Sequence, residues 1–359
     1  MQGLKGAADA QMAENRPLVA ANRFDISKVL VLLKGRDRGV PRSPLDHPLP
    51  EPSTKRLEMS IQSKPFDINH GTLDAQIEHQ HQPHTVLYLA YGSNLCYETF
   101  QKGRGVRPLS QINVLVPDLR LTFDIPGIPY AEPCFANTGL RDHDAEHKAE
   151  HPPRYRKDRW KKGLVGVVYE VTPEDYAHII ATEGGGSSYR DILVDCYPLP
   201  PGDSIPEKPS GQPFKAHTLF APLPSDQQLM RLNLRGRLRR PDPSYAQPSP
   251  RYLKLIRDGA DEHALPHEYR DYLDSLQAFR KTSASQGVGL VLLLLIWGPI
   301  MVVLFAMQRT FRDERGRSPK WLVKLFEALF ANIWRTYDYI FKPIFGEGER
   351  TVVGEEIQG

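Results

Sequence analysis

Two short stretches of this chain combine groups that could act on a small polar ligand. The first is Gly92-Ser93-Asn94, which directly follows an aromatic and apolar run at 86–91. A glycine with its free φ angle, a hydroxyl and an amide at the end of a buried strand are typical of a tight turn that directs backbone N–H groups outward. Such groups bind a carboxylate or a carbonyl oxygen. A plain connecting turn is the competing interpretation.

The second stretch is Glu183, which stands before Gly184, Gly185 and Gly186 at the predicted end of a helix. The glycines would let a ligand approach the carboxyl group without a side-chain clash, and partial desolvation would raise its pKa toward the working pH. Such a carboxyl group can accept a proton and then donate it. On these residues alone, an exposed helix end with an ordinary glycine C-cap is the preferred interpretation.

The elements that would position these groups are short apolar runs separated by turns, which is typical of a mixed α and β domain with one core. We predict strands at 86–91, 114–116, 119–123, 163–171, 189–197 and 214–220. We predict helices at 98–102, at 173–182 with Thr172 as N-cap, from Ser249-Pro250 onward, and at 265–276. Pro126, Gly127 and Pro129 are expected to interrupt the chain after the third strand.

The stretch Tyr88-Leu89-Ala90-Tyr91-Gly92-Ser93-Asn94-Leu95 resembles the gamma-glutamylcyclotransferase family, whose first strand ends in the same Tyr-Gly-Ser-Asn-Leu. Ser249-Pro250-Arg251-Tyr252, followed by a Gly-Ala and a Leu-Pro, is similar to the closing segment of that family. The resemblance covers about residues 85 to 280. It implies an α+β fold with a small mixed β-barrel and surrounding helices, in which 135–139 resembles the small-residue strand that lies next to the site.

The resemblance also implies roles for individual residues. It makes Glu183 the general acid/base, because the glutamate of the family lies in the same helix-to-strand turn, before a glycine and an aromatic residue that matches Tyr189. This reverses the preference drawn from the residues alone. The glutamyl part of the substrate would be held by Tyr88, Leu89, Ala90, Tyr91, Gly92 and Ser93. Asn94 would brace the turn, and Tyr252 would contact the glutamyl carboxylate, with core packing as its alternative role.

The implied reaction takes place within the substrate. A glutamyl unit linked through its γ-carboxyl can attack its own γ-carbonyl with its α-amine, which gives 5-oxoproline and a free amine. The protein must supply a curled geometry, a proton acceptor and a proton donor. No metal and no cofactor is implied. A non-catalytic, membrane-tethered ligand-binding or scaffold protein on the same fold is the alternative, and a transferase that passes the glutamyl group to a second amine is another.

Composition sets limits on other functions. The 359 residues carry a net charge of +3, which does not call for a nucleic-acid partner. Three cysteines, Cys96, Cys134 and Cys196, are widely spaced, which argues against a disulfide scaffold or a zinc site and favours a reducing compartment.

Several segments lie outside the resemblance. Residues 1–84 are predicted to be largely disordered, with 29–33 as a possible docking strand. The charged stretch 141–162 contains His143, His147 and His151, and we interpret it as a solvated insertion rather than a metal site. Five arginines at 231–240 are interpreted as an exposed loop face.

The C-terminal part indicates a membrane. Residues 287–307 contain no charge and would form about 31 Å of helix, enough to cross a bilayer once. Residues 308–359 are predicted as an amphipathic and acidic tail. Within it, 321–345 would form an amphipathic helix on a membrane or against a partner, and 346–359 a loose acidic end. More Lys and Arg follow the span than precede it, which favours a cytosolic tail. The unpaired cysteines and the lack of a legible signal peptide favour a cytosolic catalytic domain, which we expect.

Overall fold

The computed structural model describes residues 49–67, 73–79, 84–141, 160–182, 190–220, 246–311 and 318–352 of the chain. The strands in these ranges are β1 (Val86–Ala90), β2 (Ser110–Val116), β3 (Leu119–Ile128), β4 (Glu132–Leu140), β5 (Leu164–Val171), β6 (Arg190–Pro198) and β7 (Phe214–Phe220). The α-helices are α1 (Thr54–Ser60), α2 (Leu73–His79), α3 (Pro173–Thr182), α4 (Pro250–Glu262), α5 (His267–Ser275), α6 (Ala284–Thr310), α7 (Lys320–Thr336) and α8 (Lys342–Phe345). A 3-10 turn at Ser93–Leu95 and π-helical segments at Glu98–Gly103 and Tyr337–Phe341 complete them.

Five strands form a closed barrel in the order β1, β5, β2, β6, β7. Neighbouring strands are antiparallel, except β7 and β1, which close the barrel in parallel. β5 pairs with β1 and β2 and is buried along nearly its whole length, as expected for a continuous apolar run. The predicted small mixed barrel with surrounding helices is therefore confirmed.

β3 and β4 form a separate two-stranded hairpin, the β3–β4 hairpin. The expected interruption at Pro126, Gly127 and Pro129 is wrong for β3, which continues to Ile128. Pro126 lies opposite Cys134 in the register. Since β3 pairs with β4 alone, the missing N–H of a proline can face away from the ladder.

Part of the region predicted to be disordered packs against the barrel. The N–H of Lys215 donates to Ser60 Oγ at 3.0 Å. The Phe66 side chain is 6% exposed and stacks on His217 with ring centroids 4.2 Å apart. The prediction of disorder is wrong for 49–67 and 73–79. A few apolar side chains are enough to order these segments, because they pack against the folded barrel. The segments 29–33 and 231–240 and the three histidines of 141–162 lie outside the described residues.

The C-terminal helices form one unit with the β3–β4 hairpin. Helix α6 begins at a capping box between Ser283 and Gln286. It has 27 residues and is the one helix in the described ranges that is long and apolar enough to cross a membrane, by length and composition. The apolar side of helix α7 packs against α6. Trp334 Nε1 of α7 donates to Gly127 O of β3 at 3.0 Å.

The chain after α8 returns to the rest of the fold. Tyr130 N–H donates to Gly348 O at 2.8 Å, and Gln247 N–H donates to Glu349 O at 2.8 Å. The expectation of a loose acidic end is therefore wrong for 346–352. Backbone groups make these bonds, so the composition of the segment does not reveal them.

Candidate active site

A small cavity of about 40 Å³ lies where β1 meets the following turn. It is lined by Tyr88, Tyr91, Gly92, Ser93, Asn94, Ala136, Leu219 and Tyr252. None of these lining residues carries a charged side chain. The described wall thus offers phenol, hydroxyl and amide groups, which can fix a small polar ligand by hydrogen bonds.

Asn94 and Tyr88 brace the turn after β1. The Asn94 Nδ2 donates to Tyr88 Oη at 2.8 Å, and both side chains are buried. Leu95 N–H donates to Gly92 O at 3.0 Å, which is the bond that opens the 3-10 turn. The N–H groups of Gly92 and Ser93 precede this bond, at the position where a helical turn has no internal acceptor for them.

Gly92 leaves space at the wall of the cavity. Its φ is −108°, so the turn does not use the left-handed conformation that glycine permits. A Cβ atom at Gly92 would lie 3.4 Å from both the Cβ of Ala136 and the Oη of Tyr252. The missing side chain therefore keeps the cavity open between β1, β4 and α4.

Tyr252 lies in the first turn of α4, whose start is fixed by β4. Ser249 Oγ accepts from Tyr252 N–H at 3.1 Å, and Pro250 occupies the first helical position. Ser249 Oγ also donates to Glu132 at 2.8 Å, while Arg251 donates to Glu132 through Nε at 2.8 Å and Nη2 at 2.7 Å. The buried Glu132 carboxylate thus connects the β3–β4 hairpin to the helix that carries Tyr252.

The phenol of Tyr252 also contacts β4 directly. Its Oη accepts from Ala136 N–H at 3.1 Å, and its ring meets Phe135 edge-on with centroids 5.1 Å apart. A phenol can donate a hydrogen bond as well as accept one. Tyr252 therefore has the chemistry to contact a carboxylate in the cavity, beside its packing role.

Helix α4 approaches the turn closely at Gly259. A Cβ atom there would lie 2.5 Å from Leu95 C and 2.6 Å from Cys96 N, so this approach requires glycine. Just after the helix, His263 Nε2 lies 3.0 Å from Leu95 O and 2.7 Å from Tyr169 Oη. Burial lowers the pKa of His263 to about 4, so the ring is neutral at pH 7.

Glu183 and Tyr189 lie outside the described residues, while the flanks of their segment are described. Thr182, the last residue of α3, immediately precedes Glu183. Its Oγ1 accepts from Arg104 Nη1 at 2.6 Å, and Arg104 follows the π-helical segment after the turn. The end of α3 is thus tied to the element that follows the turn.

A buried network joins the two flanks of that segment. Tyr176 on α3 donates to Asp191 Oδ1 on β6. Asp191 Oδ2 lies 2.9 Å from His217 Nδ1 and accepts from Phe66 N–H at 2.6 Å. Burial, reinforced by the Asp191 carboxylate, raises the pKa of Tyr176 well above 10, so the phenol remains a donor.

The structure brings most of the sequence-predicted site residues together. Leu89 and Ala90 are fully buried strand residues that do not line the cavity. Ala136 lies in the predicted small-residue strand at 135–139. Leu219 was not predicted, although it belongs to a predicted strand, because single-sequence patterns do not show which strand ends meet. In the described part of the chain, no cluster of three His, Cys, Asp or Glu residues could hold a metal ion.

Comparison with known proteins identifies relatives that match 74% of the chain and a family model that matches its C-terminal part. Residues 283–344, which include α6 and α7, match the family model of the AclK C-terminal domain. The chain is 34% identical over 274 residues to "Gamma-glutamyl cyclotransferase gliK" of Aspergillus fumigatus, covering 74% of this chain and 89% of that protein. It is 29% identical over 276 residues to "Gamma-glutamyl cyclotransferase aclK" of Aspergillus oryzae, covering 74% of this chain and 90% of that protein.

Solved structures give a weaker likeness. The crystal structure of an uncharacterised human protein matches with a TM-score of 0.38 and 19% identity, covering 56% of this chain and 93% of that chain. A TM-score at this level supports no structural argument. The sequence relatives match this chain over nearly their whole length. The chain therefore belongs to the gamma-glutamyl cyclotransferase family of enzymes.

Proposed function

We propose that this enzyme cyclises the γ-glutamyl unit of a γ-glutamyl amino acid or amine, releasing 5-oxoproline and the free amine. The supporting observation is the cavity, because it gathers the turn residues Gly92 and Ser93 and the helix residue Tyr252 around one uncharged space. Two relatives that are 34% and 29% identical to this chain are named gamma-glutamyl cyclotransferases, which supports the same general activity.

In this reaction Glu183 is the general acid/base. It takes a proton from the substrate α-ammonium, the amine attacks the γ-carbonyl carbon, and a C–N bond forms in a five-membered ring. As the tetrahedral intermediate collapses, the original amide C–N bond breaks and Glu183 returns the proton to the departing amine. The same carboxylate then passes the second proton of the ring nitrogen to the released amine, which leaves as an ammonium ion, so atoms and charge balance without another reactant.

The turn would stabilise the oxygen on which negative charge develops. The backbone N–H groups of Gly92 and Ser93 are the proposed donors to the γ-carbonyl oxygen. Tyr252 would donate to the glutamyl α-carboxylate. Tyr176 packs near Tyr88, with ring centroids 5.9 Å apart, and belongs to the helix that immediately precedes Glu183, which supports an approach of Glu183 to this cavity.

The test is release of 5-oxoproline by the full-length chain from glutathione, simple γ-glutamyl amino acids and γ-glutamyl amides of bulky amines. The full chain is needed because Trp334 and Gly348 hold the β3–β4 hairpin. We expect turnover of at least one member, and the amine it releases identifies the substrate class. No turnover on any member, with a folded protein that still binds γ-glutamyl compounds, would contradict the proposal in favour of a ligand-binding protein.

We also propose that α6 attaches the enzyme to a membrane, with the catalytic domain on the cytosolic side. Only 28% of the most apolar window of α6 is buried, which is low for the core helix of a soluble protein. The three cysteines form no disulfide, in agreement with a reducing compartment. Protease treatment of intact cell-derived vesicles tests the side: a catalytic domain protected until detergent is added would contradict it. The sequence favours an α6 that crosses the membrane once.

A further inference from the structure

Helix α6 presents a continuous apolar face to the outside of the molecule. The side chains on this face are all aliphatic and all well exposed: Val288, Val291, Leu292, Leu295, Ile296, Ile300, Val302 and Val303. They follow one side of a helix that is about 40 Å long at 1.5 Å per residue. The opposite side of α6, including Leu293 and Leu304, is buried. The aliphatic face itself runs from Val288 to Val303, about 24 Å of helix without an exposed polar group, and it fits lipid chains.

Helix α7 covers the buried side of α6 and runs antiparallel to it. Near the distal end of α6, Phe305 lies 5.2 Å from Phe326 of α7 between ring centroids. At the proximal end, a Cβ atom on Gly289 would lie 2.9 Å from the Cβ of Phe345 in α8. The chain therefore leaves the catalytic domain along α6 and comes back along α7 and α8.

The return is fixed by hydrogen bonds to the catalytic domain. Gln286 Nε2, at the start of α6, donates to Glu347 O at 2.7 Å. Arg280 N–H donates to Thr351 Oγ1 at 2.8 Å, and Tyr130 Oη donates to Gly346 O at 2.9 Å. Both ends of the unit 284–345 thus lie on the same side, which is incompatible with one crossing that leaves the tail across the bilayer.

A two-helix crossing is disfavoured by the outer side of α7. Lys324 and Glu327 are exposed on this helix. Charged side chains facing the bilayer core are costly, whereas the same charges are well placed in water or among lipid headgroups. Together α6 and α7 form a two-layer unit in which the outer face of α6 is aliphatic and the outer face of α7 carries charges beside Trp321 and Leu325, a mixture that suits the boundary between lipid and water.

We propose that α6 lies in the plane of the membrane, with its aliphatic face in one leaflet and α7 on the water side, so that the chain does not cross the bilayer. This rests on the proposed membrane attachment and replaces a crossing helix with a one-leaflet anchor. Arg309, exposed at the distal end of α6, then stays at the headgroup level on the same side as the catalytic domain.

Binding is tested first, by flotation of the full-length chain with vesicles of phosphatidylcholine and phosphatidylserine. Leu295→Glu and Val303→Glu, at positions 66% and 56% exposed on the aliphatic face, should each weaken vesicle binding by about tenfold or more. Leu140→Glu is the matched control, because Leu140 is 71% exposed on β4, away from α6. If the wild-type chain does not bind vesicles and instead forms a dimer that Leu295→Glu dissociates, membrane attachment itself is refuted.

Sidedness is tested on chain bound to preformed vesicles, with a membrane-impermeant maleimide. The native cysteines are buried, so Arg309→Cys and the catalytic-domain reference Leu109→Cys supply the reactive thiols. A one-leaflet anchor predicts that both variants are labelled to the same extent before detergent. Labelling of Leu109→Cys alone, with Arg309→Cys reacting only after detergent, would overturn the one-leaflet anchor while leaving membrane attachment intact.

Discussion

Tyr252 and Ala136 are joined by a hydrogen bond of 3.1 Å in which the backbone N–H of Ala136 donates to the phenolic oxygen of Tyr252. This bond connects helix α4 to strand β4 at the wall of the cavity. Gly92 faces the same point, since a Cβ atom there would reach both residues at 3.4 Å. Three elements distant in the sequence therefore converge where the glutamyl unit is proposed to bind.

Removing the hydroxyl of Tyr252 should weaken substrate binding. Tyr252→Phe keeps the edge-on ring contact with Phe135 but loses the proposed donor to the glutamyl carboxylate. We expect KM to rise about ten- to a hundredfold, with kcat within a few-fold of wild type, since a charge-assisted hydrogen bond of about 1.5–3 kcal/mol is lost in ground and transition states alike. Tyr269→Phe is the control, because the buried Tyr269 hydroxyl has no hydrogen-bond partner in the described structure. Equal KM values for Tyr252→Phe and wild type would refute the contact.

Filling the cavity from the turn should impair the reaction and spare the fold. Gly92→Ala puts a methyl group 3.4 Å from Ala136 and Tyr252, and the φ of Gly92 lies outside the left-handed region. We expect kcat/KM to fall about tenfold or more, a loss of about 1.4 kcal/mol, with Tm within a few degrees of wild type. Gly202→Ala, where a Cβ meets nothing within 4 Å, should behave as wild type. An active Gly92→Ala enzyme would place the substrate elsewhere.

Gly259 should be essential for stability rather than chemistry. In Gly259→Ala the new methyl group collides with the backbone of Leu95 and Cys96, which must move away from α4. The free energy of unfolding should drop by about 1–3 kcal/mol, as for an overpacked core. Denaturant unfolding measures this. Gly287→Ala, a helical glycine with open space around it, should leave stability unchanged or slightly higher. Equal stability of Gly259→Ala and wild type would show that α4 packs less closely against Leu95 and Cys96 than the structure indicates.

His263 should make the enzyme less stable in mild acid. Its pKa is about 4 in the folded protein because of burial, below the ordinary value of 6.5, so the unfolded chain takes up a proton first as the pH falls. The stabilising contribution of the neutral ring is complete above pH 6.5 and is lost toward pH 4, about 3 kcal/mol in total. Unfolding free energies of wild type and His263→Gln should differ in their slope across this range. Parallel slopes would show that other groups dominate the acid response.

The barrel and the turn were predictable because local pattern determines them. The continuous apolar run at 163–171 and the Thr172-Pro173 helix start correspond closely to β5 and α3, where Thr172 Oγ1 accepts from Asp175 N–H at 3.1 Å. The predicted turn Gly92-Ser93-Asn94 lines the cavity. In each case the signal lies within a few neighbouring residues.

What the sequence missed depends on tertiary contacts. The sequence predicts a break at Pro126, because nothing local shows that β3 has only one neighbouring strand. It predicts disorder at Phe66, because the stacking partner His217 lies about 150 residues away. The hydrogen bond from Tyr130 N–H to Gly348 O joins two backbone groups, so no pattern of side chains predicts it.

The central claim is that Glu183 transfers the proton during cyclisation, and the most direct measurement is 5-oxoproline release by the full-length Glu183→Gln variant on the best substrate of the panel. The matched control is Glu174→Gln, an exposed glutamate in the first turn of α3. We predict that Glu183→Gln binds substrate but loses kcat by about 10²–10⁴, the usual contribution of a general acid/base, while Glu174→Gln matches wild type. A Glu183→Gln enzyme with kcat close to that of the control would contradict the claim and assign the proton transfer to another group.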